Sequence, residues 1–230
     1  MRAVLIPVKD LRLAKQRLAP WLSQTARTEL ATAMLRDVFA AVAAARCVED
    51  VFVVSNCEAV LEMAKRCGWN VLQEAQQFSE SASVDWASRS LAERGVQSAL
   101  RLPIDVPLVQ AADVEDLFEA AESSACVIVP SRDGTGTNAL LRTPPNLFPS
   151  HFGPNSLQKH LAEARRAGVA ACVLQNHRLA LDVDDGEDLR ALAPLLVAES
   201  ETAGWLARHA EVLAIAGAQR PAVAPASPAN

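Results

Sequence analysis

The sequence predicts an α/β fold with a mostly parallel mixed sheet, and three observations carry that expectation. Apolar runs of strand length alternate with stretches whose apolar residues recur at helical spacing. Half of the 230 residues are apolar and 21% are charged, which supplies a core and excludes disorder or a fibrous architecture for the chain as a whole. Aromatic residues make up 4% and Tyr is absent, so the core must be aliphatic. Strands alternating with helices require right-handed crossovers, which cover both faces of the sheet.

The elements follow in order. Ala3 to Val8 reads as a buried strand. Leu30, Met34, Leu35, Val38 and Val42 then stripe a long amphipathic helix. Val51 to Ser55 is the second strand, and Val60, Leu61 and Ala64 mark a helix that Gly68 stops. Asn70 to Leu72 is a short strand, and Val84, Ala87 and Leu91 stripe the next helix. Ala99 to Leu102 is a strand leading into Pro103-Ile104-Asp105. Val114, Leu117, Phe118 and Ala121 form a helix, and Cys126 to Pro130 a strand. Asn138 to Leu141 is an additional strand after a Gly-rich turn. Leu157, Leu161 and Ala164 stripe a helix that Gly168 ends. Ala171 to Leu174 and Leu179 to Val183 read as a late strand pair without a helix between them, which would form an antiparallel edge. Leu189, Leu192 and Leu196 belong to one helix, and Trp205, His209 and Val212 to a final one. No linker interrupts residues 1–215, so one domain is expected there, followed by an Ala/Pro-rich, floppy tail over 216–230.

Composition also narrows the function. A net charge of −5 argues against a nucleic-acid binder, which would carry a basic face. The five cysteines, Cys47, Cys57, Cys67, Cys126 and Cys172, are odd in number and show no ligand spacing, which suggests reduced thiols rather than disulfides or zinc. The N-terminal apolar run is too short for a signal-peptide core, and no stretch is long enough to span a bilayer. A cytoplasmic protein with no membrane partner is expected. His151, His160, His177 and His209 share no ligand spacing and read as surface or packing residues, and the four tryptophans as core or interface anchors.

Four polar clusters stand at or near expected strand ends, where open parallel sheets bind ligands. Pro7-Val8-Lys9 to Leu18 follows the first strand and carries four cations, Lys9, Arg12, Lys15 and Arg17. Such a loop can wrap and neutralise a triphosphate, although it equally describes a solvated basic loop. Asp105 stands between Pro103 and Pro107, and a carboxylate held rigidly there suits Mg²⁺. Asp113 is the better candidate to cap the following helix. Asp182 and Asp184 share one side of an extended chain, where a divalent cation would relieve their repulsion, while Asp185 caps the next helix. Gly134-Thr135-Gly136-Thr137-Asn138, with Phe152-Gly153-Pro154-Asn155-Ser156, offers close backbone approach, hydroxyls and a helix start for an anion. Pro154 suits the first position of that helix.

The ordered set resembles the 2-phospho-L-lactate guanylyltransferase family of coenzyme F-420 biosynthesis, which includes the phosphoenolpyruvate and 3-phosphoglycerate guanylyltransferases. The resemblance runs over about residues 3–195. It rests on Pro7-Val8-Lys9 with Ala14-Lys15-Gln16-Arg17-Leu18, Leu102-Pro103-Ile104-Asp105-Val106-Pro107-Leu108, Gly134-Thr135-Gly136-Thr137-Asn138-Ala139-Leu140-Leu141, Phe152-Gly153-Pro154 and Leu181-Asp182-Val183-Asp184. It implies a single-domain nucleotidyltransferase fold of the GT-A, Rossmann-like type. It implies Mg²⁺ on Asp105, Asp182 and Asp184, GTP over the first loop (Pro7, Val8, Lys9 and Lys15), and a homodimer. It places the acceptor's carboxylate and phosphate near Thr137, Gly153 and Ser156. Many members carry a Leu-Asn pair before the helix after the third strand, where this chain has Phe78-Ser79-Glu80-Ser81-Ala82-Ser83. Base contacts would then fall to side chains such as Ser83 and Glu80, with Glu80 accepting from guanine N1 and N2.

The expected reaction is attack of the acceptor's phosphate on the α-phosphorus of GTP, with Lys15 and Arg17 neutralising the departing pyrophosphate and Asp105 essential through the metal. 2-Phospho-L-lactate, phosphoenolpyruvate and 3-phospho-D-glycerate all remain open as acceptor. A sugar-phosphate or molybdopterin nucleotidyltransferase and a non-catalytic nucleotide-binding domain are the alternatives. The first usually has a Gly-rich first loop, which this chain lacks.

Overall fold

The computed structural model describes residues 1–76 and 78–215. Seven strands, β1 (Arg2–Pro7), β2 (Asp50–Ser55), β3 (Asn70–Gln73), β4 (Ser98–Arg101), β5 (Cys126–Pro130), β6 (Thr137–Arg142) and β7 (Ala171–Val173), form one sheet in the order β3-β2-β1-β4-β6-β5-β7. The helices are α1 (Gln24–Ala44), α2 (Glu58–Arg66), α3 (Glu80–Glu93), α4 (Ala111–Ala120), α5 (Ser156–Arg166), α6 (His177–Ala180), α7 (Gly186–Leu192), α8 (Glu201–Arg208) and α9 (Glu211–Ile215). The Ala/Pro-rich stretch 216–230 lies outside the described residues.

Alternation of side chains along β1 splits the core. Val4 and Ile6 pack with Leu35, Val38 and Val42 of α1 and with residues of α2 and α4 on one face. Ala3 and Leu5 meet Val84, Ala87 and Leu91 of α3 on the other. A strand covered on both faces has no polar side, so it reads as the continuous apolar run seen in the sequence. Each buried Leu or Val contributes about 1.5–3 kcal/mol by leaving water. Ser23 and Ser79 cap α1 and α3 by accepting from Ala26 and Ala82 amides at 3.1 and 3.2 Å.

Chain direction around β1 makes the site. The crossovers through α1 and α2 step outward from β1 to β2 and β3, and α3 carries the chain back across to β4 on the other flank of β1. The connections from β1 and β4 therefore run toward opposite edges of the sheet, and a crevice opens between their carboxyl ends. The first basic loop follows β1, and Asp105 follows β4.

Several elements differ from the sequence reading. The antiparallel strand is β6, in the interior of the sheet between β4 and β5, whereas β7 runs parallel to β5 at the edge. Leu179 to Val183 is not a strand. Asn176 caps the short α6, which buries Leu179, and the chain beyond runs extended with Leu181 and Val183 buried. Burial of every second residue needs only an extended chain on a core, so the pattern does not require sheet pairing. Leu196 lies beyond α7 and the 3₁₀ turn Ala193–Leu195, and the expected last helix divides at His209 into α8 and α9. Gln110, rather than Asp113, is the N-cap of α4. Asp113 sits in the first turn, accepts from the Gln110 amide at 2.8 Å and pairs with Arg178 at 2.5 Å. Asp185 caps α7, as the sequence indicated. No described helix is long and apolar enough to cross a membrane.

Candidate active site

Two adjoining cavities fill the crevice. The smaller, about 220 Å³, is walled by Pro7, Val8, Lys9 and Lys15 of the first loop, and by Glu80 and Ser83 of α3. The larger, about 530 Å³, is walled by Thr137, Gly153, Ser156, Asp182, Asp184 and Arg17. Glu80, Arg101, Pro103 and Asp105 line both. The residues given a specific binding or catalytic role, from Pro7 in the first loop to Asp184, each line one of these two cavities, with Asp105 at the junction. Arg12 does not: it folds back onto Asp10, donating to Oδ2 at 2.6 Å.

Lys15 organises the junction. Its backbone takes a left-handed conformation, φ 53°, uncommon for a residue with a Cβ. Its side chain is 8% exposed, and Nζ donates to Asp105 Oδ2 at 2.8 Å and to Asp184 Oδ1 at 3.2 Å. Burial alone would push the ammonium down, but the two carboxylates outweigh burial and hold its pKa above the usual lysine value. The same ammonium holds Asp105 below its ordinary value against the opposing pull of burial. Arg17 is exposed and reaches Asp184 Oδ2 at 3.4 Å.

Asp182 behaves oppositely. Burial, then repulsion from Asp105 and Asp184, raises its pKa, although Asn138 Nδ2 donates to it at 3.1 Å. The same Asn138 nitrogen reaches the carbonyls of Leu179 and Ala180 at 2.9 and 3.0 Å, and the Val183 amide donates to the Asp105 carbonyl at 2.9 Å. These bonds fasten the irregular segment carrying Asp182 and Asp184 beside Asp105. Among the described residues, however, no three carboxylate, imidazole or thiol groups close into a metal cage. The expected three-aspartate cluster is not formed as such, because Lys15 stands between Asp105 and Asp184. The donor set still fits Mg²⁺, which takes one or two protein carboxylates and completes its shell with water and substrate phosphate.

The acceptor end departs from expectation in detail. Pro154 lies in the turn before α5, Asn155 is left-handed (φ 57°), and α5 begins at Ser156. The Ser156 amide already bonds the Gly153 carbonyl at 3.1 Å, and the Leu157 amide bonds Thr135 at 3.1 Å, so the open anion nest is smaller than expected. Gly136 makes room for the protein itself. A Cβ there would lie 2.7 Å from Ser131 Oγ, which accepts from the Gly136 amide. Glu80, expected to read guanine, is instead committed to an ion pair with the buried Arg101.

Two contributors were not singled out from the sequence. Arg101 lies on β4, donates to the Asn138 carbonyl at 2.9 Å and stacks over Phe152, 4.2 Å from the ring centre. Burial lowers its pKa to about 10. An Arg inside the apolar run Ala99-Leu100-Arg101-Leu102 was the available signal, since a buried cation needs partners. His160 is fully buried on α5. Its Nε2 accepts from the His151 amide at 2.9 Å, so in the neutral ring Nδ1 carries the proton and donates to Thr137 Oγ1 at 3.0 Å. That leaves the Thr137 hydroxyl proton to donate elsewhere, and Thr137 lines the larger cavity.

Burial, with nearby Arg142 and Arg101, holds His160 down to about 3, against an ordinary 6.5. The unfolded chain then binds a proton that the native state refuses, so stability falls as pH drops from 6.5 toward 3, by about 1.4 kcal/mol per pH unit. Wild-type protein should lose about 2 kcal/mol more than His160→Gln between pH 7 and 5. Urea unfolding of both proteins at the two pH values checks this, and parallel losses would refute it.

The fold is that of the nucleotidyltransferases. In a solved-structure comparison, a Desulfovibrio desulfuricans G20 protein described as a nucleotide-diphospho-sugar transferase superposes with a TM-score of 0.78 at 16% identity, over 94% of this chain and 97% of that one. The family described as guanylyl transferase CofC like matches residues 1–204, and the chain belongs to it. The phosphoenolpyruvate guanylyltransferase of Rubrobacter xylanophilus is 40% identical over 188 residues, covering 81% of this chain and 91% of that protein. The 2-phospho-L-lactate guanylyltransferase of Methanothermobacter thermautotrophicus is 37% identical over 185 residues, covering 80% and 81%.

Proposed function

We propose that this enzyme transfers GMP from GTP to the phosphate of a three-carbon phospho-acid, the reaction expected in coenzyme F-420 biosynthesis. The observation that carries the reading is the two-part cleft whose compartments meet at Asp105. The names of the relatives support phosphoenolpyruvate or 2-phospho-L-lactate ahead of 3-phospho-D-glycerate as acceptor.

An acceptor phosphate oxygen forms the new bond to the α-phosphorus, and the bond from that phosphorus to the bridging oxygen of the β-phosphate breaks, releasing pyrophosphate. The nucleophile is already anionic, so no side chain need remove a proton. The obstacle is repulsion, since two polyanions meet in a cavity that already contains Asp105, Asp182, Asp184 and Asp188. Mg²⁺ held by Asp105 and Asp182, with Asp184 beside them, would supply charge neutralisation between the two substrates. Lys15 and Arg17 face the departing pyrophosphate. Thr137 donates its hydroxyl to the acceptor, with the Gly153 backbone and Ser156 closing the same wall.

Pyrophosphate release is measured with GTP, Mg²⁺ and each phospho-acid in turn, and with EDTA in place of Mg²⁺. Release with phosphoenolpyruvate or 2-phospho-L-lactate, lost on chelation, is expected. GTP binding without release for any acceptor would overturn the reading, as would turnover only with a sugar phosphate.

A further inference from the structure

We infer that Glu74 is the residue that reads guanine, an assignment that rests on the guanylyl-transfer reading above. Glu74 follows β3 at its carboxyl end, and its amide donates to the Ser55 carbonyl at 3.0 Å, which ties its position to the end of β2. The residue is 8% exposed and lines the smaller cavity. Its Oε1 is buried and has no hydrogen-bond partner, and no described residue donates to either oxygen or forms an ion pair with it.

A carboxylate buried without a donor is unfavourable unless a ligand supplies one. Guanine supplies two, because its N1–H and 2-amino group lie side by side and match the two oxygens of one carboxylate. Adenine presents a lone pair at N1 and no 2-amino group, so it would set lone pairs against the same oxygens. Glu80 is unsuited to the task because Arg101 already occupies it. The placement of the base agrees. Pro7, Val8, Leu11 and Val54 give the smaller cavity apolar walls for a ring, while Lys15 and Asp105 at its inner end meet the phosphates.

Steady-state kinetics with GTP, ITP and ATP test this in wild type and Glu74→Gln, with circular dichroism to verify folding. ITP keeps N1–H but lacks the 2-amino group. Wild type should favour GTP over ITP at least tenfold in kcat/KM and use ATP worse still. Glu74→Gln should raise the KM for GTP at least tenfold with kcat within a few-fold, and the GTP-to-ITP ratio should fall toward one. A variant that keeps the wild-type KM and ratio would overturn the assignment. So would a wild type indifferent to the base, whether or not the variant folds. Calorimetric binding of GTP and ITP reads the same preference without an acceptor, so failure of the acceptor reaction and failure of the Glu74 assignment are distinguishable.

Discussion

Replacing Asp105 by Asn should leave the fold intact and lower turnover by roughly 10²–10³-fold. Asn fills the same space, and the backbone carbonyl that receives the Val183 amide is untouched. Lys15 keeps its second partner, Asp184. What disappears is one negative charge at the point where the two compartments join. That carboxylate is held ionised by Lys15, whose ammonium approaches it at 2.8 Å. A group that acts on charge developing between two anions should lower kcat itself, not only affinity. The comparison is kcat for both proteins at saturating GTP and acceptor, alongside thermal unfolding. Near-normal turnover in a folded Asp105→Asn would remove Asp105 from the chemistry.

Lys15→Met should be the next most damaging change, at about 10²-fold in kcat/KM for GTP. Met retains the apolar stem and deletes the ammonium. Asp105 and Asp184 would then lose the cation they share, beside an Asp182 that both already repel. The partners are partly exposed, Asp105 at 25% and Asp184 at 44%, so water screens the loss and destabilisation should be about 1–2 kcal/mol rather than that of a fully buried pair. Freed carboxylates should bind Mg²⁺ more readily, so the half-saturating Mg²⁺ concentration should fall even as turnover falls. Unchanged kcat/KM in Lys15→Met would exclude a role in handling the triphosphate.

The sequence made some features plain. The first two strands and Cys126 to Pro130 are buried on both faces, and continuous apolar runs announce that. The basic loop, Asp105 and the Gly-Thr run stand out because polar residues at strand ends break those runs. Glu74 carried no comparable mark. It is one acidic residue in the polar stretch Gln73-Glu74-Ala75-Gln76, and nothing local shows that its carboxylate turns inward. His160 falls on the buried stripe of α5 with Leu157 and Ala164, where spacing reveals burial but not its bond to Thr137, 23 residues earlier.

From the chain alone came the α/β class, the extent of most elements and the list of charged groups available for chemistry, because burial and backbone preference are imposed by neighbours a few residues away. The tertiary structure alone decided that β6 enters the sheet antiparallel between β4 and β5, that Arg101 takes Glu80, and that Lys15 settles between Asp105 and Asp184. Those outcomes depend on contacts between residues as much as 169 positions apart, and such contacts leave no periodic trace in the sequence.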